Sequence, residues 1–366
     1  MGDRRYNFFH VEESFRRVLR HSTLLPHDQW EFHLLINPGA GGFNLAGLRQ
    51  TFSGSLPQGI RTLIDSSMEA VQNRSEQCSG EEVELYLHLS AYPGQAGHTA
   101  STIAESARHS DLNVMIVSIG GDGTHREIMD ALQGHRDLEE SSLCLFRFPL
   151  GSGNDAADAK TPEEAWLLLL ETGGTRRSKA LEIHYASRKI RRAYNIASLG
   201  IDAHIVRLTN HLKDRLPGNF YKFVTDISVP FYPRIYRIRD IVVKGRDAGG
   251  GDISLKFPLG LIAMGISGRR TYGHGLNILP SDENLCAIRL GGLGKNIRMK
   301  KALYESRHGD LDFVSLYSCS DLRVEYPGAV PIQFDGEVEM LDPRDFPLNM
   351  RVVDTDIPVF GYQKKS

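Results

Sequence analysis

Cysteine is scarce in this sequence, and long apolar segments are missing from it. The 366 residues include 4 cysteines, which lie far apart without a C-x-x-C pair, so neither a disulfide framework nor a zinc knuckle is indicated. No apolar run reaches the roughly 18 residues that a membrane-spanning helix needs, and the N-terminus lacks the apolar core of a signal peptide. We therefore expect a cytoplasmic protein.

An excess of either charge is also lacking. Lys and Arg number 43 and Asp and Glu number 45, for a net charge of -2, which argues against a nucleic-acid-coating surface. The hydrophobic share of 41% and the charged share of 24% are typical of globular proteins and exclude a disordered chain. At roughly 150 residues per domain, the length predicts about two domains.

Residues 1–29 are predicted to be an N-terminal appendage. Val11, Phe15, Val18 and Leu19 recur at helical spacing with arginines between them, which indicates a basic amphipathic helix. Such a helix either packs on its own domain or lies on an anionic membrane at its inner face. An apolar stripe on a helix more often packs against the core of its own domain.

Strand and helix patterns alternate over residues 30–172. This alternation predicts an α/β fold with a doubly wound, parallel sheet, whose ligands gather at the carboxyl ends of the strands. The apolar strand patterns lie at residues 32–36, 83–89, 114–119 and 143–148.

From residue 173 onward the pattern changes to strands with few helices between them. This predicts an antiparallel β domain over residues 173–330, interrupted by one helix at 207–226 and followed by a C-terminal segment, 331–366. The strand patterns lie at 193–197, 235–244, 253–266 and 313–317.

Three glycine-rich turns each follow a predicted strand: residues 37–42 (NPGAGG), 120–124 (GGDGT) and 150–155 (LGSGND). Glycine lets backbone N–H groups approach one ligand closely, and phosphate oxygens need such donors. Helices start behind the second and third turns and add their positive ends. Three such turns at one end of a sheet favour a polyphosphate ligand. No Walker A sequence is present, so this site would lack the lysine of that motif.

Two alternatives remain open at these turns. Gly151, Gly153 and Ala156 fit G-x-G-x-x-G/A, with Glu171 downstream, so an NAD(P)-dependent oxidoreductase is one alternative function. Asp122 lies between two glycines. Its carboxylate either ligates Mg²⁺ beside phosphate oxygens or caps the next helix.

The order of these motifs resembles the diacylglycerol kinase catalytic domain family of bacterial lipid kinases and sphingosine kinases. GGDGT followed by Glu127, then LGSGND, carries most of the resemblance. Asn37 with Pro38, residues 93–96 (PGQA), the segment 194–203 (YNIASLGIDA) and a late Asp-Gly-Glu at 335–337 extend it over residues 31–361.

The resemblance implies a lipid kinase with an α/β nucleotide domain and a C-terminal β-sandwich domain that binds lipid. It implies ATP as phosphate donor, Mg²⁺ as cofactor, and a lipid such as diacylglycerol or a sphingoid base as acceptor, within phospholipid biosynthesis. Asp335 takes the position of the general base, and Glu337 beside it is the second catalytic residue, which orients or helps to hold the metal. Asp122 is the candidate metal ligand. The expected nucleotide-binding residues are Asn37, Gly39, Gly41, Gly120, Gly121, Asp122, Gly123, Thr124, Glu127, Gly151, Ser152, Gly153 and Asn154.

The sequence also departs from the family pattern. Ser152 stands where threonine is usual, Arg126 replaces a common asparagine, and the loop 280–284 lacks the usual Asp-Gly. The loop puts the family's structural Mg²⁺ site in doubt. Arg126 and the loop together leave a non-catalytic sensor of nucleotide or lipid as an alternative. The oligomeric state is open, with a homodimer among the alternatives.

A basic face is the last feature of the sequence. Such residues either bind an anionic membrane surface or are simply solvated. The candidates are Arg188, Lys189, Arg191, Arg192, Arg234, Arg237, Arg239 and Lys244.

Overall fold

Contacts divide the chain into two units. Unit 1 comprises Met1–Ser178 and Thr355–Ser366, and unit 2 comprises Lys179–Asp354. The division falls at Ser178 rather than at residue 173. The computed structural model describes residues 4–25, 29–40, 83–135, 138, 142–150, 154–212, 232–272 and 276–362.

The centre of unit 1 is a parallel sheet with the strand order β2-β1-β3-β4-β17. Nearly every residue of β3 and β4 is buried, because both faces of such a sheet are covered. The predicted parallel α/β sheet is confirmed. Its strands are β1 (Trp30–Ile36), β2 (Glu84–Leu89), β3 (Asn113–Gly120), β4 (Leu143–Pro149) and the end of β17 (Leu348–Tyr362).

Helices cover both faces of this sheet. On one face lie α1 (Arg4–Leu19) and α4 (Pro162–Leu167), which continues as a π-helix, Leu168–Thr172. On the other lie α2 (Gln95–Ala107) and α3 (Asp122–Leu132).

Helix α1 packs on unit 1. The Phe15 ring lies 4.7 Å from the Trp166 ring and 5.4 Å from the Phe148 ring. Val11, Phe15, Val18 and Leu19 are all fully buried. The apolar stripe of this helix therefore belongs to the core of unit 1, which is the first of the two alternatives for the N-terminal residues.

Unit 2 is built from antiparallel strands that continue from the end of β5. Strand β9 belongs to two sheets: its first half pairs with β8, and its second half pairs with β7 and β12. Side chains of both sheets share one apolar core, as in a β-sandwich. The strands are β5 (Gly173–His184), β6 (Ile190–Ala193), β7 (Ile196–Gly200), β8 (Asp240–Asp247), β9 (Asp252–Gly265), β10 (Arg270–Tyr272), β11 (Leu276–Leu279), β12 (Leu285–Arg289), β13 (Val314–Tyr317), β14 (Cys319–Glu325), β15 (Val330–Phe334) and β16 (Glu337–Leu341).

Several element boundaries differ from the sequence prediction. The helix predicted at 207–226 begins earlier, as α5 (Ile201–Leu212), and residues 213–231 lie outside the described residues. The strand predicted at 235–244 starts only at Asp240, because the chain makes a helical turn in which Tyr236 N–H donates to the Tyr232 carbonyl at 3.0 Å. A further helix, α6, spans Leu293–Tyr304.

The strand predicted at 193–197 is broken between β6 and β7. The backbone N–H groups of Tyr194 and Asn195 donate to a side chain, Asp335, instead of a neighbouring strand. Among the described helices, none is both long and apolar enough to cross a bilayer.

Candidate functional site

The glycine turns of unit 1 begin at one edge of the sheet. In the parallel register Ile36 lies opposite Ile119, and Ile119 lies opposite Phe148. The three strands thus end at the same level, with neighbours roughly 4.8 Å apart. The turns that follow them are therefore adjacent.

Asn37 links the first turn to the second. Its side-chain oxygen accepts the Gly39 N–H at 2.8 Å, and its side-chain nitrogen donates to Thr124 Oγ1 at 2.8 Å. One amide side chain makes both bonds because it carries an acceptor and a donor. Gly41 lies outside the described residues.

Gly120 and Gly123 serve different purposes in the second turn. A Cβ at Gly120 would lie 2.7 Å from Thr124 Oγ1, so packing against Thr124 requires glycine there. Among the described residues, a Cβ at Gly123 would meet no atom within 4 Å. The carbonyl of Gly121 accepts from Thr124 N and starts helix α3. The N-terminal end of α3 is thus open at Gly123 and carries the positive end of the helix dipole.

Asp122 links the second turn to the third. Its Oδ1 accepts the Ala156 N–H at 3.2 Å. Asn154, earlier in the same segment, has a φ of 54°, a left-handed conformation that asparagine tolerates better than most residues. Gly151, Ser152 and Gly153 lie outside the described residues.

Glu127 faces a neighbouring helix. Its Oε1 accepts the Gly97 N–H at 2.9 Å, and a Cβ at Gly97 would lie 2.9 Å from the Glu127 carbonyl oxygen. The PGQA motif and the end of GGDGT-x-x-E therefore meet where α2 packs on α3. This helix-packing contact explains why a glycine lies at position 97 and a glutamate at position 127, and it requires no ligand.

A buried polar layer lies directly below the turns. Ser118 Oγ and His125 Nδ1 are 2.8 Å apart, and both side chains are fully buried. Burial, with a smaller effect of Arg147, lowers the pKa of His125 to about 3, so the imidazole is neutral. Arg147 pairs with Asp158 at 2.7 Å.

In unit 2, Asp335 lies in the turn between β15 and β16. Its φ is 49°, and Gly336 follows with a φ of 92°. The Asp335 carboxylate accepts three backbone N–H groups, from Tyr194 at 2.6 Å, Asn195 at 3.1 Å and Ile196 at 2.8 Å. The side chain is therefore fixed in place and half-buried. Glu337 starts β16 and is exposed.

Gln333 joins this turn to the start of α5. Its Oε1 accepts the Gly336 N–H at 2.9 Å, and its Nε2 donates to Ser198 Oγ at 3.0 Å. Ser198 in turn donates to Asp202 at 2.5 Å. These buried groups connect the Asp-Gly-Glu motif with the YNIASLGIDA segment, which the sequence places far apart.

Carboxylates neutralise part of the expected basic face. Arg192 pairs with Glu182 at 2.6 Å, while Lys189 and Arg191 both pair with Glu339, at 2.8 Å and 3.1 Å. Burial alone would raise the pKa of Glu339, but hydrogen bonds from Lys189 and its other partners outweigh burial and lower it. The charge that this face offers to a membrane is reduced accordingly.

A Mg²⁺ ion at these turns would need carboxylate or phosphate oxygens as ligands. Within the described part of the chain, no three His, Cys, Asp or Glu side chains converge on a common point. Magnesium is commonly held by one or two carboxylates together with phosphate oxygens and waters. Asp122, at the open end of α3, fits that mode. In the loop 280–284, Asp282 is instead paired with Arg269 at 2.7 Å.

The Arg147–Asp158 pair and the Gly97–Glu127 contact are among the contacts that the sequence patterns did not predict. An arginine inside the apolar run 143–148 was the available signal for the first. For the second, the signal was a glycine one residue after PGQA.

Comparison with known proteins bears on the identity of unit 1. Residues 65–183 match the diacylglycerol kinase catalytic domain. The match includes the second and third glycine turns and confirms the resemblance inferred from the motifs. No curated protein sequence matches the chain.

Solved structures resemble the chain at low sequence identity. A putative diacylglycerol kinase from Bacillus anthracis str. Sterne has a TM-score of 0.54 at 14% identity, covering 91% of this chain and 97% of that one. A diacylglycerol kinase structure from the same strain has a TM-score of 0.51 at 12% identity, with the same coverage of both chains. The likeness at this identity shows a shared fold and confirms the predicted α/β class with its C-terminal antiparallel strands.

Proposed function

We propose that the protein is an ATP-dependent kinase that phosphorylates the hydroxyl group of a lipid. One observation carries the proposal: side-chain hydrogen bonds join the turns at the carboxyl edge of the sheet. Asn37 links the first turn to Thr124, and Asp122 links the second turn to Ala156. Such coupling suits a ligand with several linked phosphates, because each turn contributes backbone N–H donors to the same polyphosphate.

The open end of α3 is the proposed phosphate site. The missing side chain at Gly123 leaves room for a phosphate oxygen to approach the backbone, and the helix dipole favours the negative charge. Asp122 is the residue that would hold Mg²⁺. When bound, Mg²⁺ neutralises negative charge on the phosphates.

Asp335 is the proposed general base. It takes the proton of the lipid hydroxyl as the oxygen forms a bond to the γ-phosphorus. The bond between the γ-phosphorus and the oxygen of the β-phosphate breaks, and ADP leaves. The three N–H groups on Asp335 hold the carboxylate in one orientation, which proton transfer requires. Exposed Glu337 is the proposed partner that orients the hydroxyl.

The match to the diacylglycerol kinase catalytic domain supports a lipid as the acceptor. Diacylglycerol and a sphingoid base both offer a hydroxyl at the surface of a bilayer, so the proposal includes transient contact with a membrane. Arg188, which lies in an exposed turn, is the basic residue that we assign to this contact.

Transfer of labelled γ-phosphate from ATP to a panel of lipid vesicles tests the function. We expect a phosphorylated lipid with the wild-type protein and Mg²⁺, and at least a hundredfold slower transfer with Asp335→Asn. Glu337→Gln is the companion variant, because its exposed side chain can change without disturbing the core. If Asp335→Asn transfers phosphate at the wild-type rate, Asp335 is not the general base. If the wild-type protein transfers phosphate to none of the lipids, the proposed kinase function is wrong.

A non-catalytic sensor is the second candidate. The observation in its favour is that backbone groups occupy so much of the Asp335 carboxylate. A sensor binds ATP or lipid with no turnover, so calorimetric titration of the wild-type protein, run beside the transfer assay, separates the two. Tight binding of NAD instead of ATP would favour the oxidoreductase alternative.

A further inference from the structure

An ion pair is buried below the third glycine turn. Arg147 lies in the apolar strand β4 and is 5% exposed, while Asp158 follows the turn and is 7% exposed. The guanidinium donates to both carboxylate oxygens, from Nε at 3.0 Å and from Nη2 at 2.7 Å. This bidentate geometry fixes the two side chains relative to each other.

The backbone reinforces the same link. Arg147 N–H donates to Asp158 Oδ2 at 2.9 Å, and Asp158 N–H donates to the Arg147 carbonyl at 3.0 Å. Asp158 therefore satisfies both polar groups of the Arg147 backbone, as a residue of a neighbouring strand would. The chain that leaves β4 after Arg147 returns to the same residue at Asp158, and the turn 150–155 lies on this closed loop.

Stability alone does not explain this pair. Removing two charges from water costs free energy that their attraction often fails to recover, and apolar replacements for such pairs are commonly as stable or more so. A buried pair does fix one geometry. Here the pair fixes the position of the segment that contains Ala156, whose N–H donates to Asp122.

We propose that Arg147 and Asp158 are positioning residues that hold Ala156 against Asp122 and so set the affinity for magnesium-bound nucleotide. The inference rests on the proposed function for its ligand. The pair is also assigned a role in ordering residues 154–158. That role can be measured without any ligand, by amide hydrogen exchange.

The double variant Arg147→Met/Asp158→Asn tests the role. It removes both charges of the buried pair together, so neither is left buried without the other; the charge that loses its partner is that of half-exposed Arg176, which water can reach. The asparagine keeps an oxygen for the backbone N–H of residue 147. Arg176→Met is the matched control, because Arg176 donates to the same carboxylate at 3.2 Å but is half-exposed and makes no bond to β4.

Two measurements are made on each protein: amide hydrogen exchange of residues 150–160 without ligand, and calorimetric binding of ATP with Mg²⁺. We expect the double variant to keep the wild-type melting temperature within a few degrees, to exchange at least tenfold faster in this segment, and to bind at least tenfold more weakly. Arg176→Met should match the wild type in both. Wild-type exchange and affinity in a folded double variant would overturn the proposal.

Arg147→Lys covers the case in which the double variant does not fold. Lysine keeps the charge but lacks the rigid planar fork that places two nitrogens against the two oxygens. We therefore expect an intermediate rise in exchange, and a wild-type exchange rate would count against the proposal. If the wild-type protein binds no ATP, the proposed function fails, while the exchange experiment still decides whether the pair orders the segment.

Discussion

Asn37 donates its side-chain N–H to Thr124 Oγ1 at 2.8 Å across 87 positions of the sequence. The bond joins the turn after β1 to the first helical turn of α3. Thr124 is 5% exposed, so water offers little replacement if the bond is lost. One amide and one hydroxyl thus align the first two glycine turns.

Thr124→Val tests this link. Valine keeps the shape but removes the oxygen, which leaves the Asn37 donor without this acceptor. We expect a loss of roughly 1–3 kcal/mol in the free energy of unfolding and a raised KM for ATP. Urea denaturation and steady-state kinetics measure both. Thr124→Ser, which retains the hydroxyl, should behave almost as the wild type, and equal KM values in all three proteins would show that the link is dispensable.

Gly120 and Gly123 form a matched pair for alanine substitution. At Gly120 the new methyl group would lie 2.7 Å from Thr124 Oγ1, so Gly120→Ala should destabilise the fold by about 1–3 kcal/mol. At Gly123 the methyl group would meet no atom of the part of the chain that the structure describes. Gly123→Ala should therefore leave the melting temperature nearly unchanged while weakening ATP binding. Unaltered ATP affinity in Gly123→Ala would argue against a phosphate at the start of α3.

His125 gives the stability a pH dependence. Its pKa is about 3 in the folded chain, against roughly 6.5 unfolded, so the unfolded state binds a proton that the folded state excludes. The contribution of His125 is complete above pH 6.5 and falls as the pH drops toward 3. By pH 4.5 the loss is of order 2–3 kcal/mol. Urea denaturation at pH 7 and pH 4.5 should show a smaller difference for His125→Gln than for the wild type.

Glu127→Ala separates a structural role from a nucleotide contact. The carboxylate accepts the Gly97 N–H at 2.9 Å, so its removal should lower the free energy of unfolding by roughly 1–2 kcal/mol. We expect ATP affinity to change less than twofold. A large fall in affinity at unchanged stability would instead return Glu127 to the nucleotide site.

The sequence allowed the α/β class and the positions of the glycine turns to be predicted, because both depend on local patterns. Alternating apolar runs and glycine clusters lie within a few residues of each other. The partners of Asp335 could not be predicted in the same way. Its three N–H donors lie about 140 positions earlier, and backbone donors leave no signature in residue type. The pairing of Asp158 could not be predicted either. An aspartate is common in loops, and nothing in the sequence indicates that Arg147 faces it.

The two long strands β5 and β17 give the chain a particular connectivity. Unit 2 is a continuous stretch, Lys179–Asp354, inserted into a unit that is completed by Thr355–Ser366. The closing piece supplies Val359, which pairs with Leu145 of β4. During synthesis, β17 therefore cannot pair with β4 until residues 355–362 have emerged. A chain truncated before residue 355 would lack this strand partner of β4, even though every glycine motif had already been translated.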